Sequence, residues 1–159
     1  MNQYTSATKT VPSTGHRYAL RVNPSSGNLH PTEFHFAAKG LAGWPDGLYH
    51  YRASSHMAEQ RQSGGDPISE LLNLAPAPWF RSSPLVFVLT SIAWREAWKY
   101  RDRAYRYCLH DTGHAWSSLA LAARSLGAEA FAFAHFPDQA VADLLGVEDE
   151  WPMLILALQ

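Results

Sequence analysis

The chain has 159 residues, of which 47% are hydrophobic and 17% charged, and its formal net charge is −1 at pH 7. This composition is typical of one globular domain and excludes a disordered chain, and the absence of a basic stripe excludes an electrostatic nucleic-acid binder. A single cysteine excludes a disulfide framework. The apolar runs are too short to span a membrane. No signal peptide is visible in the sequence, so we expect a cytoplasmic protein.

The first half of the chain predicts an arm, a loop and several strands. Residues 1–17 are rich in Thr and Ser and lack periodicity, so we expect an extended N-terminal arm ahead of a domain over 18–159. A polar loop follows, and an apolar run predicts a strand over 34–39. Residues 48–51 and 56–61 are typical of two short strands joined as a hairpin.

The second half predicts alternating helices and strands. Asp66 and Pro67 are suited to begin a helix that ends before Pro76, and the apolar run 84–90 predicts a strand buried on both faces. Further helices are predicted from Asp102 to Gly127 and over 138–145, and further strands around 131–133 and over 153–158. Strands and helices intermingle, so the fold class is α+β, a mixed α/β arrangement.

The long helix has one predicted inward face. Apolar and small residues recur along it at alternating spacings of three and four, which is the period of an α-helix. These residues are Tyr105, Cys108, Thr112, Ala115, Leu119, Ala122 and Leu126. We expect Cys108 to be a small core residue rather than a reactive thiol.

The polar loop over 21–34 is the first candidate site. Its two prolines bracket Ser, Ser, Gly and Asn, which favour tight turns, and Gly27 permits a left-handed or closely approached backbone. We therefore expect a rigid loop that presents hydroxyls, an amide and the His30 imidazole to the edge of a flat polar ligand.

The segment over 94–107 is the second candidate site. It interleaves cations with aromatic residues and joins the buried strand to the long helix. Lys99 and Tyr100 lie side by side in it and supply two groups able to transfer a proton. An exposed amphipathic turn with aromatic stems on the core is the alternative that the residue types alone leave open.

The motif His110-Asp111-Thr112-Gly113-His114 raises the question of a metal site. Histidines at i and i+4 on a helix face are a metal-ligand spacing. A glycine interrupts the helix, however, and no third ligand stands at a motif spacing. We expect polar packing here and no metal.

Taken together, these segments resemble the nitroreductase superfamily of flavin proteins. The resemblance is greatest to the SagB/ThcOx-type dehydrogenases, which include the azoline oxidases of ribosomal-peptide biosynthesis. The matching pieces occur in family order over 18–158: residues 23–31 (NPSSGNLHP), 47–51 (GLYHY), 98–100 (WKY), 103–107 (RAYRY), 110–114 (HDTGH) and 144–146 (LLG). The resemblance implies an FMN-dependent nitroreductase-like fold, with a central, mostly antiparallel sheet flanked by helices.

The resemblance also implies roles for individual residues. Contacts to the isoalloxazine or ribityl chain of FMN are implied for Pro24, Ser25, Ser26, Gly27 and Asn28. His30 would line the same pocket, and we add that Arg21 is near enough to reach a flavin carbonyl or the phosphate. Lys99 and Tyr100 match the pair that handles the proton while flavin N5 takes the hydride. The implied activity is hydride transfer between flavin N5 and a small-molecule or peptide, azoline-like substrate.

The chain departs from the family pattern at the places that hold the phosphate. The family begins with a helix carrying Arg-Ser-x-Arg, the given sequence starts after that position, and relatives continue past the last strand. We expect a partner subunit or a cation of this chain to compensate; the candidates are Lys9, Arg17, Arg21 and Lys39. His135 stands where relatives commonly have glycine near flavin N5.

Two functions follow from these observations. The first is an FMN-dependent oxidoreductase, acting as a homodimer or as one module of a larger two-module protein. The second is a degenerate, non-catalytic flavin-fold module that binds a ligand or a partner chain.

Overall fold

The structure, a computed structural model, describes residues 2–75 and 82–159, without the side chains of residues 5–7. The strands are β1 (Tyr4–Thr10), β2 (Arg17–Arg21), β3 (Thr32–Ala38), β4 (Gly47–Arg52), β5 (Met57–Ser63), β6 (Leu85–Ser91), β7 (Ala130–Phe133) and β8 (Trp151–Leu158). The α-helices are α1 (Pro67–Leu74), α2 (Trp94–Tyr100), α3 (Ala104–Ser125) and α4 (Asp138–Leu145). Among the described residues, no helix combines the length and the apolar character needed to cross a membrane.

Six strands form the central sheet, in the order β5-β4-β3-β6-β8-β7. All five pairings between these strands are antiparallel. The central strand β6 is buried over most of its length, with Val86, Val88 and Leu89 at 0% exposure. The predicted α+β class and the predicted antiparallel sheet are confirmed.

The alternation of side chains along the central strands places one helical layer on each face of the sheet. On one face, Val86 and Val88 belong to a core cluster with Leu71 of α1 and Val141 of α4. On the other face, Phe36, Phe87 and Leu89 form a second cluster with Ala115 and Leu119 of α3. The long helix therefore lies against this face of the sheet.

Local signals in the sequence mark several element boundaries correctly. Asp66 begins α1, since its carboxylate accepts a hydrogen bond from the Ser69 amide at 3.1 Å and Pro67 takes the first helical position. Gly146, with φ at +67°, closes α4. Cys108 is fully buried on α3, and burial raises the pKa of its thiol, as expected of a core residue.

The structure corrects the predicted inward face of α3 at both ends. Cys108, Thr112, Ala115 and Leu119 are buried, whereas Tyr105 is 62% and Leu126 86% exposed. Near the C-terminal end the buried residue is Ala123 and not Ala122. Buried residues lie next to both exposed positions, Ala104 beside Tyr105 and Ala123 near Leu126, so the inward face at each end passes through a neighbouring residue of the period.

Three elements were not predicted, namely α2, β1 and β2. Residues 94–100, treated as a connection, form the helix α2. Within the segment 1–17, expected to be an extended arm, Tyr4–Thr10 forms β1, which pairs antiparallel with β2 in a separate two-stranded sheet. This hairpin lies immediately before the polar loop and so contributes to its surroundings.

The packing of α3 against the sheet gives a direct test of the fold. Leu119 is fully buried, whereas Leu121, two residues along the same helix, is 67% exposed. We expect Leu119→Ala to lower the free energy of unfolding by about 2–5 kcal/mol, because it leaves a cavity. Leu121→Ala is the matched control and should change it by less than about 0.5 kcal/mol. Urea unfolding measures both, and equal effects would contradict the packing described.

Candidate functional site

The polar loop is fastened to the long helix through one carboxylate. Asp111 accepts hydrogen bonds from the Ser25 hydroxyl at 2.6 Å and from the Ser26 hydroxyl at 3.0 Å. The Ser26 amide donates to both carboxylate oxygens, at 2.9 and 3.0 Å. Asp111 is only 2% exposed, and such donors are what a buried negative charge requires. The loop is therefore held in a fixed position on α3.

The backbone of the loop is tightly folded beyond this point. Gly27, Asn28 and His30 have φ values of +58°, +62° and +49°, a region that residues with a side chain rarely adopt. The Asn28 amide group donates to the carbonyl of Ala19 at 2.9 Å, and the His30 amide donates to the Ser25 hydroxyl at 2.8 Å. These bonds offset the cost of the unusual backbone and keep the loop rigid.

Lys99 and Tyr100 pack directly against Gly27. A Cβ atom built on Gly27 would lie 2.5 Å from the Tyr100 hydroxyl and closer still to the Lys99 ammonium. Gly27 is thus needed for its positive φ and also for the space that the two side chains occupy. The two segments singled out in the sequence are brought into contact, with a lysine and a tyrosine over the loop.

The loop, the β1–β2 hairpin and α2 together enclose a groove of about 950 Å³. Of the sequence-predicted residues, those that line it are Arg21, Pro24, Ser25, Gly27, Asn28 and Lys99. Ser26 is turned toward Asp111, and His30 is buried below the surface at 6% exposure. His135 is exposed and lies outside the groove lining.

His30 supports the loop from beneath. Its Nε2 lies 2.9 Å from the Asn28 amide oxygen, and its Nδ1 is buried without a partner among the described residues. Burial, with the nearby charges of Arg21 and Arg95, lowers the pKa of His30 to about 4. The ring is therefore neutral at pH 7.

Arg95 ties α2 to the same loop. Its guanidinium donates to the His30 carbonyl at 2.9 Å and to the carboxylate of Glu33, the second residue of β3. Although burial acts to raise it, the pKa of Glu33 is held below its ordinary value by hydrogen bonds from His50 and Arg95. The sequence interpretation missed Arg95 and Glu33, because nothing in their spacing connects them.

Glu96 is the most unusual group near the site. It is fully buried, and its carboxyl lies close enough to Asp111 to form a hydrogen bond with it when protonated. Burial and then the negative charge of Asp111 raise the pKa of Glu96 to about 7. The helix that carries Lys99 thus rests on a buried acid that holds its proton up to neutral pH.

The histidine motif on α3 has a different role from the one its spacing indicates. Asp111 is occupied by Ser25 and Ser26, while His110 and His114 are exposed. The described part of the chain has no group of three or more His, Cys, Asp or Glu residues placed to hold a metal ion. The sequence predicts polar packing for this motif, but it does not identify Ser25 and Ser26 as the partners of Asp111.

The buried acid predicts a pH-dependent stability. An unfolded Glu96 loses its proton near its ordinary pKa of 4.5, whereas the folded protein holds it up to about pH 7. Because the folded state binds more protons in that window, the free energy of unfolding should fall as the pH rises through it. Urea unfolding at several pH values measures the slope. Glu96→Gln should remove this contribution and Glu70→Gln, an exposed control, should keep it; an unchanged slope in Glu96→Gln would refute the assignment.

Several solved structures share the fold described above. A crystal structure from Anabaena variabilis, described as a nitroreductase, superposes with a TM-score of 0.88 at 30% identity, covering 98% of this chain and 32% of that one. The Escherichia coli microcin synthetase complex, solved with a truncated pro-microcin peptide bound, gives 0.73 at 22% identity, covering 94% and 58%. An FMN-dependent nitroreductase from Clostridium difficile gives 0.54 at 17% identity, covering 86% and 67%. This chain thus spans about a third of the Anabaena chain's length.

Sequence comparison identifies the family. A protein of Methanocaldococcus jannaschii, described as a nitroreductase, is 25% identical over 139 residues, covering 86% of this chain and 69% of that protein. The model of the nitroreductase family matches residues 6–158. Since this match extends over nearly the whole sequence, the chain belongs to the nitroreductase family.

Proposed function

We propose that this nitroreductase-family chain is an FMN-dependent oxidoreductase of the SagB-type dehydrogenase kind. The observation that carries the proposal is the contact of Lys99 and Tyr100 with Gly27. Of these three residues, Gly27 and Lys99 line the groove. It places two proton-transfer groups beside the loop on which a flavin ring is proposed to lie. When bound, FMN supplies the hydride chemistry at N5, and the substrate is a small molecule or an azoline-like peptide.

The groove suits a flavin in size and in chemistry. Its volume of about 950 Å³ lies in the range of small-molecule and cofactor sites. Two buried polar atoms of its lining residues, Arg21 Nε and Asn23 Oδ1, have no partner among the described residues, and buried groups of this kind are normally satisfied. A ring carrying both carbonyl and N–H groups supplies what each of them lacks.

The protein's own residues have separable tasks in this proposal. Pro24, Gly27 and Asn28 offer a rigid surface to the ring, since Asp111 and Ala19 hold their segment in place. Ser25 and Ser26 act mainly through Asp111, as their hydroxyls are engaged there. Lys99 and Tyr100 hold or move a proton at the ammonium and the phenol oxygen. The lysine ammonium lies 5.2 Å from the centroid of the Tyr100 ring, so the two groups act at one place.

The relatives support the cofactor and the range of substrates. The Clostridium difficile structure is described as FMN-dependent, and the microcin synthetase structure holds a peptide. A likeness at 22% identity or less supports the fold, so the peptide substrate is part of our proposal. The chain spans about a third of the Anabaena protein. The substrate and the oligomeric state given for this chain are therefore part of our proposal too.

We further propose that the chain acts in the cytoplasm as a homodimer, or as one module of a two-module protein. Large apolar side chains are exposed on the outer surfaces of α2 and α3, namely Trp94, Trp98, Tyr105, Leu109 and Trp116. An apolar patch of this kind is typical of an interaction surface. Trp94 and Trp98 belong to α2, the helix that carries Lys99, and Trp98 lines the groove, so association would take place next to the groove.

Titration with FMN tests the proposal. We expect the purified protein to quench flavin fluorescence saturably. A protein that takes up no FMN would contradict the proposed FMN-dependent activity. In the FMN-bound protein, Lys99→Ala and Tyr100→Phe should each reduce turnover by about 10²–10⁴-fold, because proton transfer is lost. Their FMN dissociation constants should stay within a few-fold of the wild type.

The turnover assay follows flavin absorbance with a nitroaromatic, a quinone and an azoline peptide as substrates. Arg106→Ala, which removes an exposed cation of α3, is the matched control and should leave turnover unchanged. Wild-type rates in both the Lys99 and Tyr100 variants would move the chemistry elsewhere. An FMN-bound wild type inactive on all three substrates would favour the non-catalytic module.

A further inference from the structure

One wall of the groove carries positive charge without compensating acids. The cations Lys9, Arg21 and Lys99 line it, and so does the imidazole of His16 at the end of the β1–β2 hairpin. None of its lining residues is Asp or Glu, although the whole chain has 14 acidic residues against 13 basic ones. The charge is therefore concentrated locally in a protein that is nearly neutral overall.

The hairpin sets the position of these cations. Lys9 pairs with Tyr18, and Thr10 with Arg17, at the end where the chain turns. The turn is closed by the Val11 amide on the His16 carbonyl at 2.8 Å, so Lys9 and His16 flank it. Arg21 lies at the opposite end of β2, next to the polar loop, three residues from Tyr18. At the rise of a β-strand this separation is roughly 10 Å.

Lys9 and Arg21 are not among the cations that form ion pairs with acids of this chain. Lys39, Arg52 and Arg95 pair with Asp66, Glu59 and Glu33 respectively. Among the described side chains, neither Lys9 nor Arg21 forms an ion pair. Arg21 instead lies over the Tyr4 ring at 5.1 Å and makes a long, 3.5 Å hydrogen bond to the Asn2 side chain. Both cations are thus available to a negative ligand group in the groove.

The sequence offers four cations as possible partners of a phosphate, and the geometry selects two of them. Lys39 is paired with Asp66, and Arg17 donates to the Thr8 hydroxyl at 3.3 Å. Neither of them lines the groove, whereas Lys9 and Arg21 both do. His16, which the sequence interpretation did not consider, joins them.

We infer that Lys9 and His16 form a phosphate subsite, so that the groove takes a ligand with a flat ring at the Gly27 loop and a phosphate at the hairpin. The inference rests on the proposed flavin function and adds the part of the site that distinguishes a phosphorylated flavin from an unphosphorylated one. Charge-assisted hydrogen bonds from a lysine and an imidazole to phosphate oxygens supply the selectivity.

Comparing FMN with riboflavin tests the subsite apart from the ring site. Both share the ring and ribityl chain, and only FMN has the phosphate. We expect the wild type to bind FMN at least roughly tenfold more tightly than riboflavin in a fluorescence titration. Added salt or inorganic phosphate should weaken FMN binding and leave riboflavin binding unchanged, because only the phosphate contact is ionic.

Variants of the hairpin locate the preference. The double variant Lys9→Ala with His16→Ala should bind FMN and riboflavin equally, with riboflavin affinity as in the wild type. Lys9→Arg should retain the preference, and Lys9→Glu should reverse it. Arg124→Ala removes an exposed cation of α3 outside the groove and is the control. Unchanged riboflavin binding also verifies that each variant is folded.

The outcomes distinguish this inference from the function on which it rests. Equal affinity of the wild type for both flavins overturns the subsite and leaves the flavin site standing. A preference for FMN that survives in the double variant also overturns it, because the phosphate is then held elsewhere. If the wild type binds neither flavin, the proposed function fails and the subsite fails with it.

Discussion

The candidate site depends on the hydrogen bonds between the Asp111 carboxylate and the loop residues Ser25 and Ser26. Two hydroxyls and one amide converge on a side chain that is 2% exposed. A buried carboxylate is costly unless it is compensated, so loop and helix stabilise each other. With these bonds in place, Gly27 keeps its left-handed backbone and leaves the space that Lys99 and Tyr100 occupy.

The helix α2 is held by a second set of polar contacts. Arg95 bonds to the His30 carbonyl and to Glu33, which joins the helix to the loop and to the central sheet. Glu96 lies one residue further along, where burial and then the charge of Asp111 raise its pKa. The short helix thus places its acid in the interior and directs Lys99 toward the groove. A site built on side chains fixed in this way keeps its geometry without a bound ligand.

Much of the fold could be predicted because its signals are local. Apolar runs and turn residues located β3, β4, β5, β6 and β8, and the caps at Asp66 and Gly146 located two helices. The predicted loop and the predicted Lys99–Tyr100 pair were also brought together. The helix α2 was missed because its buried residue is Glu96, and a pattern of apolar residues treats a glutamate as exposed.

The contacts that hold the site in place could not be predicted, because they join residues that are far apart in the sequence. Asp111 and Arg95 act through partners that are 85 and 62 positions away in sequence, and a single sequence holds no record of such pairs. The β1–β2 hairpin was missed because its two strands pair with each other rather than with the central sheet, and because the Thr- and Ser-rich sequence of β1 has no apolar periodicity.

The most direct test of the central claim is the FMN dissociation constant of Asp111→Asn, measured by flavin fluorescence under conditions in which the variant is folded. An asparagine keeps the size of the side chain but loses the charge and presents an N–H₂ group to the same donors. If the Asp111-held loop is the surface that binds the flavin, the affinity falls by roughly tenfold or more. An affinity equal to that of the wild type would contradict the account, since the loop would then not need Asp111 to form the site.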